Sequence, residues 1–189
     1  MSRKLAVFFP GRKYGVDCPL LYYSDFICRG RGYETLYMHY AAHREEQSDA
    51  TICEDIENAR DYVMERLRKV PFGDYKDVLF ISKSIGTVLA SMAQTELKIK
   101  VRNIYFTPLE PTLPYLGEKR CSEAGDNLVI AGTRDSFLTS EKLMEACLRE
   151  NLKLWQFEGL GHSMETEDVA ETLELMKEIM ELVEEFIDG

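Results

Sequence analysis

Three short stretches of this 189-residue chain hold side chains that can do chemistry together. The first is Ser82-Lys83-Ser84-Ile85-Gly86, which follows Asp77-Val78-Leu79-Phe80-Ile81 without a break and leads into small and apolar residues. The second is Glu158-Gly159-Leu160-Gly161-His162-Ser163, whose glycines allow a tight turn that brings an imidazole over a sheet edge. The third supplies a carboxylate, and two positions offer one: Asp135 in Gly132-Thr133-Arg134-Asp135, and Glu110 in Thr107-Pro108-Leu109-Glu110-Pro111. A serine hydroxyl is a weak nucleophile at its free pKa and needs an adjacent imidazole to take its proton. A carboxylate on the other ring nitrogen fixes the tautomer and stabilises the imidazolium that forms. Together these residue types describe acyl transfer through a covalent serine intermediate. Singly, each has a plainer reading: Ser84 as a polar turn capping the next helix, His162 as a solvated loop residue, Asp135 as a cap or loop aspartate.

The elements that must position them are legible as apolar patterns. Short β-rich runs are expected at Leu5–Phe9, Thr35–Met38, Asp77–Ile81, Asn103–Thr107, Leu128–Ala131 and Lys153–Phe157. Between them, helices are expected over Ala50–Val70 (with Ser48 or Asp49 as N-cap and Pro71-Phe72-Gly73 as the stop), over Ile85–Met92 and over Glu141–Arg149. The clearest helix is the last, where Val169, Leu173, Met176, Met180, Val183 and Ile187 step by four and three. A further short helix is expected near Leu113–Cys121. Strands alternating with helices imply parallel pairing, right-handed crossovers and helices on both faces. The expected fold is a three-layer α/β/α sandwich with a mainly parallel sheet of about six strands, in one domain spanning 1–189. Each candidate residue then lies at the carboxyl end of a strand, and Trp155 in the sixth strand is expected in the core.

Composition narrows the partners. Hydrophobic residues make up 45% and charged residues 30%, ordinary for a globular protein. The net charge of −10 repels nucleic acid and anionic lipid over most of the surface. No stretch approaches the roughly 20 apolar residues of a membrane span, and the five-residue apolar run at Leu5–Phe9 is too short for a secretory signal. Cys18, Cys28, Cys53, Cys121 and Cys147 are odd in number and scattered, which points away from a disulfide framework and toward the cytoplasm. No His/Cys/carboxylate cluster has metal-ligand spacing, and the chemistry requires no cofactor. His39 and His43 have no evident partner and read as surface or packing residues. Nothing in the pattern specifies an oligomeric state.

With its strand leading directly into the turn, Ser82-Lys83-Ser84-Ile85-Gly86 resembles the G-x-S-x-G elbow of the α/β-hydrolase superfamily. Gly86 fits, because a side chain there would crowd the neighbouring strand; Ser82 departs from the usual glycine. The order serine, aspartate, histidine is the family's, and the resemblance runs from Leu5 to about Ile187. It implies Ser84 as nucleophile, His162 as base and Asp135 as acid, with Glu110 at the position where some members place the acid instead. It also implies an oxyanion hole from the backbone N–H groups of Ile85 and Arg12, the latter because Phe9-Pro10-Gly11-Arg12 matches the family's His-Gly-x, with Pro10 in place of histidine. About twenty residues separate the fourth and fifth strands, so the likeness is to small members without a cap, open to a small acyl substrate. Arg12, Lys13 and Lys83 are read as solvated surface charge near that mouth.

Readings from other classes fit the residues less well. Gly11 and Gly15 follow the first strand, but Asp17 stands where a dinucleotide site needs a further glycine, and Met38-His39 ends the second strand without the acid. A catalytically inactive binding or scaffolding protein on the same fold is the main alternative. Ser82 and Pro10, the two departures, are what favours it.

Overall fold

The computed structural model describes residues 3–40, 51–116 and 127–189. His43, Cys121 and the expected cap at Ser48 or Asp49 lie outside these residues. Six strands form one sheet: β1 (Arg3–Phe9), β2 (Glu34–Tyr37), β3 (Tyr75–Lys83), β4 (Arg102–Phe106), β5 (Asn127–Gly132) and β6 (Lys153–Phe157). Their spatial order is β2-β1-β3-β4-β5-β6, and every neighbouring pair is parallel.

Both faces of the sheet are apolar, as a parallel sheet covered on both sides requires. Along β1, Ala6 and Phe8 face one side while Leu5, Val7 and Phe9 face the other. On the first side lie α1 (Pro19–Gly30) and α6 (Val169–Asp188), through Leu20, Leu21, Ile27, Ile179, Val183 and Phe186. On the second lie α2 (Ile52–Leu67) and α3 (Ile85–Leu97), whose Val63, Leu67, Val88 and Leu89 pack on β1 and β3. The short α4 (Leu113–Leu116) and α5 (Ser140–Glu150) cover Tyr105, Val129 and Ala131 on that same face.

Several expectations shift here. The sequence pattern gives no helix at α1, whose Tyr22, Tyr23, Phe26 and Ile27 are mediocre helix formers. Pro19 at its first turn starts it, the Leu20 N–H donates to the Tyr14 hydroxyl at 2.9 Å, and burial of Leu20, Leu21, Ser24, Ile27 and Cys28 supplies the helical stripe. Helix α2 starts later than expected, where Thr51 accepts from the Glu54 N–H and the Glu54 carboxylate accepts from the Thr51 N–H. At the start of α6, Val169 and Leu173 of the expected apolar stripe are exposed. Trp155 is not core. It lies on β6, an edge strand, and is 51% exposed, because only one face of that strand is covered at its position.

Candidate active site

Strand order sets where a site can form. Chain progression runs from β1 outward to β2 on one side and from β3 through β6 on the other, so the order reverses between β1 and β3. In open parallel sheets the crevice at such a reversal, beyond the carboxyl ends of the strands, is where ligands bind. Ser84 follows β3 and Gly11 follows β1, and a Cβ on Gly11 would stand 3.3 Å from that of Ser84.

Ser84 occupies a sharp strand-to-helix turn, with φ 57° and ψ −122° between β3 and α3. A non-glycine residue there is strained by about 1–3 kcal/mol, a cost borne where surrounding contacts over-determine the backbone. Those contacts are visible: the Ser84 N–H donates to the Phe106 carbonyl at 3.1 Å, and the Ser84 carbonyl accepts from the Thr87 N–H at 2.9 Å and the Thr87 hydroxyl at 2.7 Å. Ser82, at the departure from the usual glycine, stays in β3 fully buried, and its hydroxyl donates to the Ile104 carbonyl at 3.2 Å.

The imidazole of His162 lies between Ser84 and Asp135. Its Nε2 is 2.9 Å from the Ser84 Oγ, and its Nδ1 is 2.8 Å from the Asp135 Oδ2. The other oxygen, Asp135 Oδ1, accepts from the Phe137 N–H at 2.9 Å, so this buried carboxylate is bonded at both atoms. The loops after β5 and β6 are stitched together: the Arg134 N–H donates to the Leu160 carbonyl at 2.9 Å, and the Thr133 N–H to the Phe157 carbonyl at 3.0 Å. A Cβ on Gly132 would lie 2.1 Å from the Leu160 carbonyl oxygen, so only glycine permits this approach. Glu110 is elsewhere. It is exposed and accepts from Lys142 Nζ at 2.7 Å.

The three cationic side chains near the mouth do not behave alike. Lys13 is exposed. Arg12 pairs through Nε with the buried Asp55 of α2 at 2.8 Å, which ties the loop after β1 to that helix. Lys83 is 1% exposed, contrary to its reading as solvated charge. Its Nζ donates to the Thr107 Oγ1 at 2.5 Å and to the His162 carbonyl at 2.8 Å, and burial pushes its ammonium down to about 8. The expected strand ends at Ile81, whereas β3 runs on to Lys83 and buries it with Val78 to Ser82. Two further residues carry no motif in the sequence. Phe137, about half exposed, sets its ring 4.5 Å from that of His162, and the buried Tyr40 donates its hydroxyl to the Pro10 carbonyl, holding the loop after β1. Phe137 stands only two residues beyond Asp135, which is the one hint of it.

His39 is exposed beside Tyr37, with ring centroids 6.1 Å apart. Among the described residues no group of three His, Cys, Asp or Glu side chains could hold a metal ion, and no helix is long and apolar enough to cross a membrane. Ile85 opens α3, so its N–H is one of the helix's four amides without an intrahelical acceptor, at the electropositive end of the dipole.

Solved structures share this architecture. The chain is similar to Est1E from Butyrivibrio proteoclasticus, at 13% identity and TM-score 0.66 over 100% of this chain and 90% of that one. It is similar to an α/β serine hydrolase homologue from Coxiella burnetii, at 13% identity and TM-score 0.68 over 96% and 85%. A Xanthomonas campestris α/β serine hydrolase without a lid matches at 12% identity and TM-score 0.64 over 97% and 82%. No protein-family model matches the sequence, and no curated protein matches it. The chain has the α/β-hydrolase fold.

Proposed function

We propose that this chain, read as one α/β-hydrolase domain over 1–189, is a serine hydrolase that cleaves an ester or thioester of a small acyl substrate. The observation that carries the reading is the unbroken relay Ser84 Oγ–His162–Asp135, with contacts of 2.9 and 2.8 Å, at the reversal point of the sheet.

In this reading His162 Nε2 takes the Ser84 proton as Oγ attacks the acyl carbonyl, and Asp135 stabilises the imidazolium through Nδ1. The tetrahedral oxyanion is met by the N–H groups of Ile85 and Arg12. His162 then returns its proton to the leaving alcohol or thiol, and an acyl-enzyme remains. Water, activated by the same imidazole, attacks that acyl group and frees Ser84. The ring of Phe137 forms one wall beside the imidazole. Only residues 107–126 join β4 to β5, which leaves little chain for a cap and favours an open mouth. The free thiols of Cys18, Cys28, Cys53 and Cys147 favour a reducing compartment, the cytoplasm.

The test is covalent. The protein should take up a fluorophosphonate at Ser84 and hydrolyse p-nitrophenyl acetate, and Ser84→Ala should abolish both, costing about 10⁴- to 10⁶-fold in kcat. A folded Ser84→Ala protein with wild-type turnover would falsify the reading. Absence of labelling and turnover in the wild type would leave the inactive scaffold as the better account.

A further inference from the structure

The loop that carries His162 leaves β6, the edge strand, yet its imidazole reaches Ser84 at the end of β3, three strands inward. Asp135 holds the ring at Nδ1, and the Arg134 N–H holds the loop at Leu160. Lys83 adds a hold on the His162 backbone itself. It precedes Ser84 in the chain, and its Nζ donates to the backbone carbonyl of His162 at 2.8 Å. It also donates to the Oγ1 of Thr107, the residue just after β4, at 2.5 Å. An ammonium has three N–H groups, and its remaining side faces the ring of Tyr14, 5.2 Å from the centroid. One buried cation thus joins the ends of β3 and β4 to the loop after β6.

Resting on the hydrolase reading above, we propose that Lys83 is the positioning residue for the base: its ammonium pins the His162 backbone so that the imidazole stays on Ser84. Three observations support this. First, Thr107 is β-branched yet adopts φ 43°, a left-handed backbone such residues rarely accept, while its N–H donates to the Ile130 carbonyl at 2.8 Å. Strain at that position fits a hydroxyl aimed at a particular partner. Second, burial of Lys83 works against its charge, opposed by Asp135 after β5 and Glu165 beyond His162; Cys18 and Tyr14 are the other titratable groups facing it. A residue kept for packing alone would be apolar. Third, Ser84 and Met164, which flank the clamp, also have positive φ, at 57° and 63°.

The experiment compares wild type, Lys83→Met and Thr107→Val in p-nitrophenyl acetate hydrolysis, with a melting curve for each. Lys83→Met should lower kcat about 10- to 100-fold with KM within about twofold, because a small displacement of a positioned group costs rate rather than binding. Its Tm should equal or exceed that of wild type. Thr107→Val keeps the side-chain shape and removes one acceptor, so a smaller loss of about 3- to 10-fold is expected; it decides the matter if Lys83→Met does not fold. A folded Lys83→Met with wild-type kcat, or with a lowered Tm and no loss of kcat, overturns the proposal; so does wild-type kcat in Thr107→Val. A separate readout does not depend on activity. In Ser84→Ala protein the downfield NMR proton shared by His162 Nδ1 and Asp135 should be sharp, and Ser84→Ala/Lys83→Met should broaden it by solvent exchange. Equal line widths overturn the clamp, whereas an inert, unlabelled wild type sinks only the hydrolase reading.

Discussion

Gly86 lies so close to Phe9 that a Cβ on it would stand 2.1 Å from the Phe9 carbonyl oxygen and 2.8 Å from that of Pro10. The second residue of α3 therefore rests directly on the backbone leaving β1, and this contact brings the turn at Ser84 beside the loop of Gly11 and Arg12. Backbone atoms cannot swing aside as a flexible side chain would. Gly86→Ala should cost about 3 kcal/mol, a fall in Tm of roughly 10 °C for a chain of this size. A thermal melt within about 2 °C of wild type would show that the approach is looser than described.

The choice of acid is open to a paired measurement. Asp135→Asn keeps the shape but presents the wrong partner to Nδ1, so kcat should fall by up to about 10⁴. Glu110→Gln should leave kcat within about twofold, since it loses only an exposed pair with Lys142. Circular dichroism of both proteins separates lost chemistry from lost folding. A silent Asp135→Asn with a damaging Glu110→Gln would move the acid to the loop after β4.

Phe137 offers a different kind of test, because its backbone and side chain have separate duties. The N–H holds Asp135, while the half-exposed ring lies against His162. Phe137→Ala leaves the first and removes the second. Its kcat on p-nitrophenyl acetate should stay within a few-fold of wild type. On esters with longer or aromatic acyl chains, kcat/KM should fall about tenfold, in line with about 1–3 kcal/mol for a lost apolar contact. Equal losses on short and long substrates would assign the ring to holding the imidazole rather than the substrate.

Lys83 also predicts a pH effect on stability. Its ammonium is pushed down to about 8 in the folded chain, against roughly 10.4 for an unfolded lysine. Between those values the unfolded state binds a proton that the folded state does not, so the Lys83 contribution to stability rises with pH across that window. Below about pH 8 both states hold the proton and the full burial penalty is felt. The stability difference between wild type and Lys83→Met, followed by denaturant unfolding from pH 7 to 10, should therefore shift in favour of wild type as pH rises. A difference that does not change over this range would mean that the folded ammonium titrates like an exposed one.

Local pattern in the sequence was enough to read the six strands and the helices other than α1, because apolar residues recur with period two or 3.6 wherever a segment meets the core. It placed Ser84, His162 and Asp135 each after an apolar strand, and the resemblance to the α/β-hydrolase elbow and residue order implied their roles. The three-dimensional arrangement decided what depends on neighbours distant in the chain. Trp155 reads like any core aromatic until strand order puts β6 at the sheet edge. The sequence favours Asp135 as the acid but leaves Glu110 open. The pairing of β5 with β6 brings the Asp135 loop against the His162 loop, while Glu110, after β4, meets Lys142 of α5. Lys83 looks like a solvated charge because its sequence neighbours do not show what encloses it. Thr107, Tyr14 and the His162 carbonyl come from segments 24, 69 and 79 positions away, and only the folded sheet closes them around one ammonium.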